Sequence, residues 1–482
     1  MKAIFLAGAV FCGLAANTMV LTAGDILKGR VEAGGKGLPH VVVSDGFTCT
    51  VTDDKGRYEF EAHPQSRFVF VSTPSGWLPP VEQGSIPVFY KEIIGGGTYD
   101  FQLVENPADD TRHVCFVQSD VQLISEDNLV TYAGLLEDMM EYRSQFRDMD
   151  IFGLDCGDIV GDTPSLFPAY RRTASRLGMP VYRVIGNHDM DYYGRTFETS
   201  TGTFEENFGP AYYSFNRGKV HYIVIDNNFY IGREYFYIGY VDEKTFRWLE
   251  QDLSFVPEGS TVIVAMHMPT RLTPDQKPFV YNYQGLADQT VNASALHALF
   301  EDYNTHIITG HMHYNLNICH GASLMEHNTA AVCGTWWCTD VCLDGTPAGY
   351  GVYSVDGSDV QWLYKSSGYP AGHQLRAYLP GASEQYPEAV VANVWNYDPQ
   401  WKVEWCEDGK VMGEMEKFTG YDPYASLMCR DTTRISYSWI GPTPTEHLFK
   451  AVPSDPSAEI TVRVTDRFGN VYTAPASKLV YP

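Results

Sequence analysis

Residues able to bind metal ions recur along the middle of the chain, each group directly after an apolar run. They are carboxylates, side-chain amides and imidazoles, the oxygen and nitrogen ligands that first-row divalent metals accept. Singly, each has an ordinary explanation, because an Asp after a strand usually belongs to a turn. Their repetition predicts instead one shared metal site. The residues are Asp120 and Gln122, then Asp158, then Asn187, His188 and Asp189, then His267, and finally His311 and His313.

The apolar runs alternate with helical patterns, which indicates βαβ units, a largely buried sheet and an α/β (α+β) fold. Leu129, Leu136 and Met140 recur at helical spacing and predict a helix over 128–147, and a second helix is predicted over 167–177. Sites of α/β proteins are built at strand carboxyl ends, so we expect the ligand groups to converge there. The predicted strands are 113–118, 151–156, 181–185, 220–226, 261–266 and 305–309, with a closing hairpin over 350–355 and 360–364.

The order of these motifs resembles that of the calcineurin-like metallophosphoesterases. The matching motifs are Asp-x-Gln at 120–122, Gly-Asp at 157–158, Gly-Asn-His-Asp at 186–189, His267 and Gly-His-x-His at 310–313, and the similarity spans 112–365. The resemblance implies a four-layer β-sandwich flanked by helices. It also implies that the chain is an enzyme, a hydrolase that acts on phosphate mono- or diesters.

The flanking segments resemble the β domains of a three-domain bacterial subgroup of that family. The segments that carry this likeness are 43–46 and 52–58 before the motifs, and 334–337, 345–350 and 394–396 after them. The predicted organisation is therefore a signal peptide over 1–23, an N-terminal β-sandwich (regulatory-like) domain over 24–108, a catalytic domain over 109–368 and a C-terminal β-rich domain over 369–482.

The resemblance also implies two divalent metal ions (Mn, Fe, Zn or Mg) and a role for each ligand. Carried over by motif, the first metal falls on Asp120, Gln122 and His313, the second on Asn187, His267 and His311, and Asp158 bridges both. The implied reaction is attack of a metal-bridged hydroxide on phosphorus. His188 would then protonate the leaving group, with Asp189 or Asp162 orienting its imidazole.

Two positions differ from patterns in the family. Most members have His where this chain has Gln122, and an amide oxygen is the weaker donor, which predicts either looser binding of the first metal or a preference for a harder ion such as Mn²⁺ or Mg²⁺. Purple acid phosphatases have a Tyr three residues after the bridging Asp, where this chain has Gly161. No Tyr ligand and no purple colour are therefore expected.

Three residues near the motifs are candidate substrate contacts. Arg271 follows the His267 motif and could bond a phosphate oxygen, although a solvated loop Arg is an equally good interpretation. Tyr192 and Trp336 could stack on a base or sugar, and core packing is the alternative for Trp336 and its neighbour Trp337.

The composition excludes some classes of protein. The 482 residues include 34 Lys and Arg against 59 Asp and Glu, a formal net charge of −25. A chain this acidic does not suit sequence-specific binding of nucleic acid, which requires clustered basic residues. The charge is compatible with an anionic phosphoester substrate, because two divalent cations would create a local positive field.

The N-terminus has the pattern of a secretory signal. Lys2 precedes a short apolar run over 3–16, and Ala23 ends a stretch with small residues. The run is too short to span a bilayer, and no later run is apolar enough, so no transmembrane segment is predicted. We expect an exported protein, periplasmic, extracellular or at the cell surface. A buried N-terminal helix or strand is the alternative.

Other functions are less well supported by the sequence. A non-catalytic periplasmic or surface protein that binds a glycan or phospho-ligand on a decayed phosphoesterase scaffold would suit the β domains and the aromatic content of 14%. Every implied ligand is nevertheless present. A protease or glycosidase is disfavoured because the sequence contains neither HExxH nor GxSxG.

Overall fold

A computed structural model describes residues 21–22, 24–233, 236–275, 281–435, 437–455 and 457–481. Residues 1–20 and 23 of the predicted signal peptide lie outside this part. Within the ranges described, no helix combines the length and the apolar character needed to cross a membrane.

The middle of the chain is built from strands and helices that alternate along the sequence. The strands are β1 Arg112–Gln118, β2 Asp150–Asp155, β3 Val181–Arg183, β4 Tyr213–Arg217, β5 Val220–Val224, β6 Asn228–Gly232, β7 Phe236–Gly239, β8 Thr261–Ala265, β9 Asn304–Thr309, β10 Leu316–Cys319, β11 Leu324–Asn328, β12 Gly349–Asp356 and β13 Asp359–Ser366. The helices are α1 Glu126–Arg143, α2 Phe167–Ala174, α3 Gly202–Phe208, α4 Glu243–Leu253, α5 Tyr283–Ala287 and α6 Ala293–Ala298.

These strands form two main sheets. In the first, the order is β3-β2-β1-β12-β13, with β1, β2 and β3 parallel and β12 antiparallel to β1. In the second, the order is β4-β5-β8-β9-β11-β10, and β5, β8, β9 and β11 run parallel. A short β6-β7 hairpin stands apart.

Alternation along β1 explains how the sheets and helices stack. Cys115 and Val117 belong to the core shared with the second sheet. Val114 and Phe116 belong to the core shared with α1 and α2. Successive side chains of a strand point to opposite faces, so one strand contributes to both cores. Helix α4 packs on the shared core through Trp248, and α6 packs on it through Leu296. The two sheets and the helices on both outer sides form the expected four layers.

A β-rich domain precedes the sandwich and is bonded to it. Gln251 of α4 donates to the Phe47 carbonyl (2.7 Å) and accepts from the Cys49 amide (3.1 Å), and Tyr212 donates to the Gly46 carbonyl (2.7 Å). The strands of this domain are Ile26–Ala33, Lys36–Gly37, Val42–Ser44, Cys49–Val51, Arg57–Glu61, Phe68–Ser72, Trp77–Leu78, Val81–Glu82, Ile86–Pro87, Tyr90–Glu92, Gly97–Thr98, Phe101–Gln102 and Val104–Glu105.

A second β-rich domain follows the sandwich and contacts it next to the last motif. The Asn315 side chain donates to the Trp395 carbonyl (2.9 Å), and Asn317 donates to the Asn396 carbonyl (3.0 Å). One helix, α7 Pro423–Cys429, lies in this domain. Its eight-stranded sheet consists of Arg376–Tyr378, Val390–Asn393, Lys402–Glu407, Lys410–Glu414, Glu416–Gly420, Thr445–Ala451, Ile460–Thr465 and Val471–Ser477.

The structure has a strand at each of the predicted positions, with ends that differ by up to two residues, and the helix limits differ more. The helix predicted over 128–147 begins and ends earlier, as α1. The helix predicted over 167–177 ends in a 3₁₀ turn, Ser175–Leu177. The strands that carry the motifs are divided between two sheets, so the site lies at an edge of a sandwich.

Candidate metal centre

The turns that follow β1, β2 and β3 of one sheet and β8 and β9 of the other bring all seven predicted ligands together. Six of the seven are buried, and His311 is partly exposed. The contacts that link them are Asp120 Oδ1 to His313 Nε2 (3.4 Å), Asp120 Oδ2 to the His311 amide (3.0 Å), Asp158 Oδ2 to His267 Nε2 (3.2 Å), Gln122 Nε2 to Asp158 Oδ2 (3.0 Å), Asn187 Oδ1 to His267 Nε2 (3.1 Å) and His311 Nδ1 to His267 Nε2 (3.2 Å).

Much of the site backbone is in the left-handed region. The φ angles are 54° at Asp120, 43° at Gln122, 53° at Asp158, 72° at His311 and 52° at His313. Residues other than glycine rarely adopt this conformation, which costs on the order of 1–3 kcal/mol each and concentrates at functional sites. The surrounding packing therefore maintains a strained arrangement of the ligands.

Two imidazoles have their ring protons fixed by backbone carbonyls. His267 Nδ1 lies 2.7 Å from the Cys156 carbonyl, and His311 Nε2 lies 3.0 Å from the Ala287 carbonyl. A carbonyl only accepts, so these nitrogens carry the protons. The remaining nitrogens face each other at 3.2 Å, next to Asp158. Two nitrogens at this separation cannot both present lone pairs, so a proton or a metal ion must lie between them, and such carbonyl partners are typical of metal-binding His.

His313 has the same arrangement at the other end of the site. Its Nδ1 lies 3.2 Å from the Gly334 carbonyl. Its Nε2 is buried without a hydrogen-bond partner and points toward Asp120, 3.4 Å away. A buried polar nitrogen without a partner is costly, so this atom also has the geometry of a ligand.

The electrostatics of the site favour a positive charge at its centre. Burial lowers the pKa of His311 to about 3, and the adjacent His267 adds to this effect. Burial also acts to lower the pKa of His267, but Asp158 outweighs it and raises that pKa to about 9. Asp158, His267 and His311 therefore share one proton at neutral pH, at the position where a divalent cation would bind. The donor set fits metal ions.

His188 lies beside the ligands and pairs with Asp162. His188 Nδ1 is 2.7 Å from Asp162 Oδ1. The other candidate partner, Asp189, bonds the amides of Val160 (3.0 Å) and Gly186 (2.9 Å). Asp189 is the last residue of the short 3₁₀ turn Asn187–Asp189. A carboxylate at that position accepts from the backbone amide of the residue that precedes the turn, here Gly186. The structure thus assigns Asp162, rather than Asp189, as the partner of His188.

The pKa values of these groups follow from their neighbours. Burial acts to lower the pKa of His188, but Asp158 and Asp162 outweigh it and raise that pKa to about 9. Burial, followed by the charge of Asp158, raises the pKa of Asp189 to about 8. His188 therefore holds a proton at neutral pH in this arrangement.

The predicted substrate contacts differ in their positions. Tyr192 donates to the Asn187 carbonyl (2.7 Å) and so supports a ligand. Trp336 stacks on His313, with ring centroids 4.2 Å apart. Arg271 acts electrostatically on His297, and in the portion of the chain covered by the structure no hydrogen bond or ion pair joins it to a ligand.

Several supporting residues were not predicted as such. Asn227 accepts from the amides of His267 and Met268 (both 3.2 Å). Ser119 donates to Asp120 Oδ2 (2.6 Å). The carbonyl partners of the imidazoles are backbone atoms and have no sequence signature. The one sequence feature that could have singled out Ser119 is its position directly before Asp120.

Gly310 leaves no room for a side chain. A Cβ there would overlap the Ser119 hydroxyl and press on the Asp120 carboxylate. Because overpacking costs about 1–3 kcal/mol of stability, we expect Gly310→Ala to lower the melting temperature by several degrees. Gly321→Ala, with open space around it, is the control and should melt like the wild type. Wild-type melting of Gly310→Ala would contradict the packing argument.

Three family models match successive parts of the chain. The N terminal of Calcineurin-like phosphoesterase matches 25–106, Calcineurin-like phosphoesterase matches 116–315, and the C terminal of Calcineurin-like phosphoesterase matches 326–472. No curated protein sequence matches the chain significantly.

Solved structures similar to the chain include two phosphatases and a 5'-nucleotidase. A dimetal phosphatase from Danio rerio is 13% identical, with 53% of this chain and 96% of that chain covered and a TM-score of 0.38. Purple acid phosphatase PPD1 from yellow lupin is 12% identical, with 68% and 67% covered and a TM-score of 0.38. A 5'-nucleotidase from Candida albicans is 13% identical, with 54% and 52% covered and a TM-score of 0.31. Because the three models match successive parts of it, the chain belongs to the calcineurin-like phosphoesterases that carry N-terminal and C-terminal domains, a family of metal-dependent hydrolases.

Proposed function

We propose that the protein is an exported phosphoesterase that uses two divalent metal ions to hydrolyse phosphate mono- or diesters. The observation that carries the proposal is the pair of inward-facing nitrogens, His267 Nε2 and His311 Nδ1, which lie 3.2 Å apart beside Asp158, a spacing that requires a cation between them. Family membership supports phosphoester hydrolysis and divalent metals in general.

The ligands divide into two sets around one carboxylate. In this proposal Asp120, Gln122 and His313 hold one ion, Asn187, His267 and His311 hold the other, and Asp158 is shared. When bound, two divalent cations stabilise charge on the phosphoryl oxygens and activate water. The carbonyl partners of the three imidazoles hold the outward ring protons, so the inward nitrogens are the ones that can bind a metal ion.

His188 is the proposed general acid. Its Nδ1 is engaged by Asp162, which leaves Nε2 to carry the proton that goes to the leaving oxygen. The His188 side chain is 31% exposed, so a substrate can reach it, whereas the ligands around it are nearly all buried. Asp162 acts as a positioning residue for this ring.

Export is proposed from the sequence alone. It rests on Lys2, the apolar run over 3–16 and the small residue Ala23. Expression of the full chain in a bacterial host, fractionation and N-terminal sequencing provide the check. A mature chain that begins at residue 24 in the exported fraction supports export, and an uncleaved cytoplasmic chain contradicts it.

Metal content and metal dependence test the enzymatic proposal. We expect the purified protein to hold two ions per chain, to lose activity on a panel of phosphate monoesters and diesters after EDTA treatment, and to regain it with Mn²⁺. The metals are counted by mass spectrometry and phosphate release is measured in parallel. Activity that persists in the metal-free protein would contradict the proposal.

A further inference from the structure

Two tryptophans from different domains adjoin the metal centre. Trp336 stacks face to face on His313, with centroids 4.2 Å apart and planes at 20°. Trp439 comes from the C-terminal domain and meets Trp336 edge-on, with centroids 4.6 Å apart and planes at 83°. Tyr437 lies beside Trp439 at 5.5 Å. The C-terminal domain thus supplies one wall of the region around His313.

Packing does not account for Trp439. Its surface is 61% exposed, although a Trp in a folded protein is highly buried on average. Its ring contacts Trp336 and Tyr437, and most of the remaining indole surface is open to solvent. An exposed apolar face next to a polar site is a common feature of a ligand-binding cleft.

The neighbouring Trp337, in the same turn, has the contacts of a structural tryptophan. Its indole nitrogen donates to the Gln122 carbonyl (3.0 Å), and its ring packs on the core beneath α1 and α2. Trp336 and Trp337 both have positive φ angles, 45° and 64°, which bulky residues rarely adopt. The turn therefore directs Trp337 toward the core and Trp336 toward the metal centre.

We infer that Trp336 and Trp439 bind a planar ring in the alcohol portion of the substrate, close to the His313 end of the metal centre. This inference rests on the proposed phosphoesterase function and specifies its substrate class: phosphoesters whose alcohol carries a planar ring. Two indoles at nearly right angles form a corner in which a flat ring stacks on one and meets the edge of the other, the two arrangements that aromatic pairs prefer. The recognition needs no charged group, so it selects for ring shape.

A matched pair of substrates isolates the ring. Adenosine 5′-monophosphate and ribose 5-phosphate share the same ester alcohol carbon and differ in the planar base. We expect Trp439→Ala in the full chain with Mn²⁺ to weaken binding and lower kcat/KM for adenosine 5′-monophosphate about tenfold, a typical value for the loss of one base–aromatic stack. For ribose 5-phosphate the change should be below about twofold, since no stacked ring is lost.

Controls separate ring binding from damage to the fold. Trp439→Phe keeps an aromatic face and should restore most of the selectivity. Tyr421→Ala removes another exposed aromatic (53%) of the same domain and should leave the ratio of the two substrates unchanged. Equal losses for both substrates in Trp439→Ala, or no loss for either, would overturn the inference.

Calorimetry distinguishes failure of this inference from failure of the proposed function. Both ligands are titrated into metal-loaded protein in the His188→Ala background, where slow turnover does not interfere, with and without Trp439→Ala. A ring-dependent difference in affinity supports the inference even when no phosphate is released by the wild type. If the wild type releases phosphate but the two ligands show no such difference in affinity, the inference is wrong and the proposed function stands.

Discussion

Asp158→Asn should reduce kcat/KM for every phosphoester by at least about 10³-fold, because the proposed function assigns to this carboxylate the charge shared by two ions, each of which would supply several kcal/mol of charge stabilisation. Asp158 is buried and lies 3.2 Å from His267. The side chain of Asn retains the shape, and its oxygen can still accept from the His188 amide, which Asp158 Oδ1 bonds at 2.8 Å. The variant should therefore fold and fail to hold metal.

Metal binding gives this prediction a readout that does not depend on activity. Ions that bind only the folded protein raise its melting temperature, and Asp158→Asn should lose most of the rise that Mn²⁺ causes in the wild type. Asp252→Asn is the matched control, because Asp252 is equally buried but bonds Ser214 and His221 away from the ligands. That control should keep both the Mn²⁺ response and the activity per folded molecule. A wild-type Mn²⁺ response in Asp158→Asn would show that the carboxylate does not bridge.

His188→Ala should lower kcat by about 10² to 10⁴-fold on alkyl phosphates, the usual contribution of a general acid. The decrease in kcat should be much smaller on 4-nitrophenyl phosphate, because 4-nitrophenolate leaves readily without a proton. Comparison of kcat for the two kinds of ester in wild type and variant measures the effect. An equal loss on both esters would indicate that His188 binds substrate or supports Asn187 and does not deliver a proton.

The two aspartates near His188 should behave differently in the same assay. Asp162→Asn removes the charge that faces His188 Nδ1 at 2.7 Å and should show a weaker form of the same leaving-group dependence. Asp189→Asn disturbs the bonds to the Val160 and Gly186 amides, so it should reduce stability and lower both kinds of activity together. The reverse pattern would restore Asp189 as the orienting residue.

Much of the site could be predicted from local pattern. Apolar runs that end in ligand-type residues mark strands and the turns after them, and both features lie within about ten residues of chain. The C-terminal ends of β1, β2 and β3 therefore carried Asp120, Asp158 and Asn187 in the structure as predicted. The helix limits were less well predicted because helix ends depend on what packs against them.

Contacts between distant segments were beyond the reach of sequence patterns. Proximity in sequence made Asp189 a natural partner for His188, but the short turn directs its carboxylate to backbone amides. Trp439 lies more than a hundred residues after Trp336 in the sequence, and only the packing of the C-terminal domain brings the two rings together. The division of the motif strands between two sheets is also a product of long-range pairing.

The sequence by itself therefore determined the kind of chemistry, since the residue types and their order specify a phosphoesterase family and side chains of the kind that divalent metals accept. The tertiary structure decided which nitrogen of each imidazole faces the centre, which aspartate pairs with His188 and which aromatic surface borders His313. The physical reason is that ligand chemistry belongs to individual side chains and short turns. Hydrogen-bond partners and neighbouring rings depend on segments that meet only when both sheets and the C-terminal domain have packed.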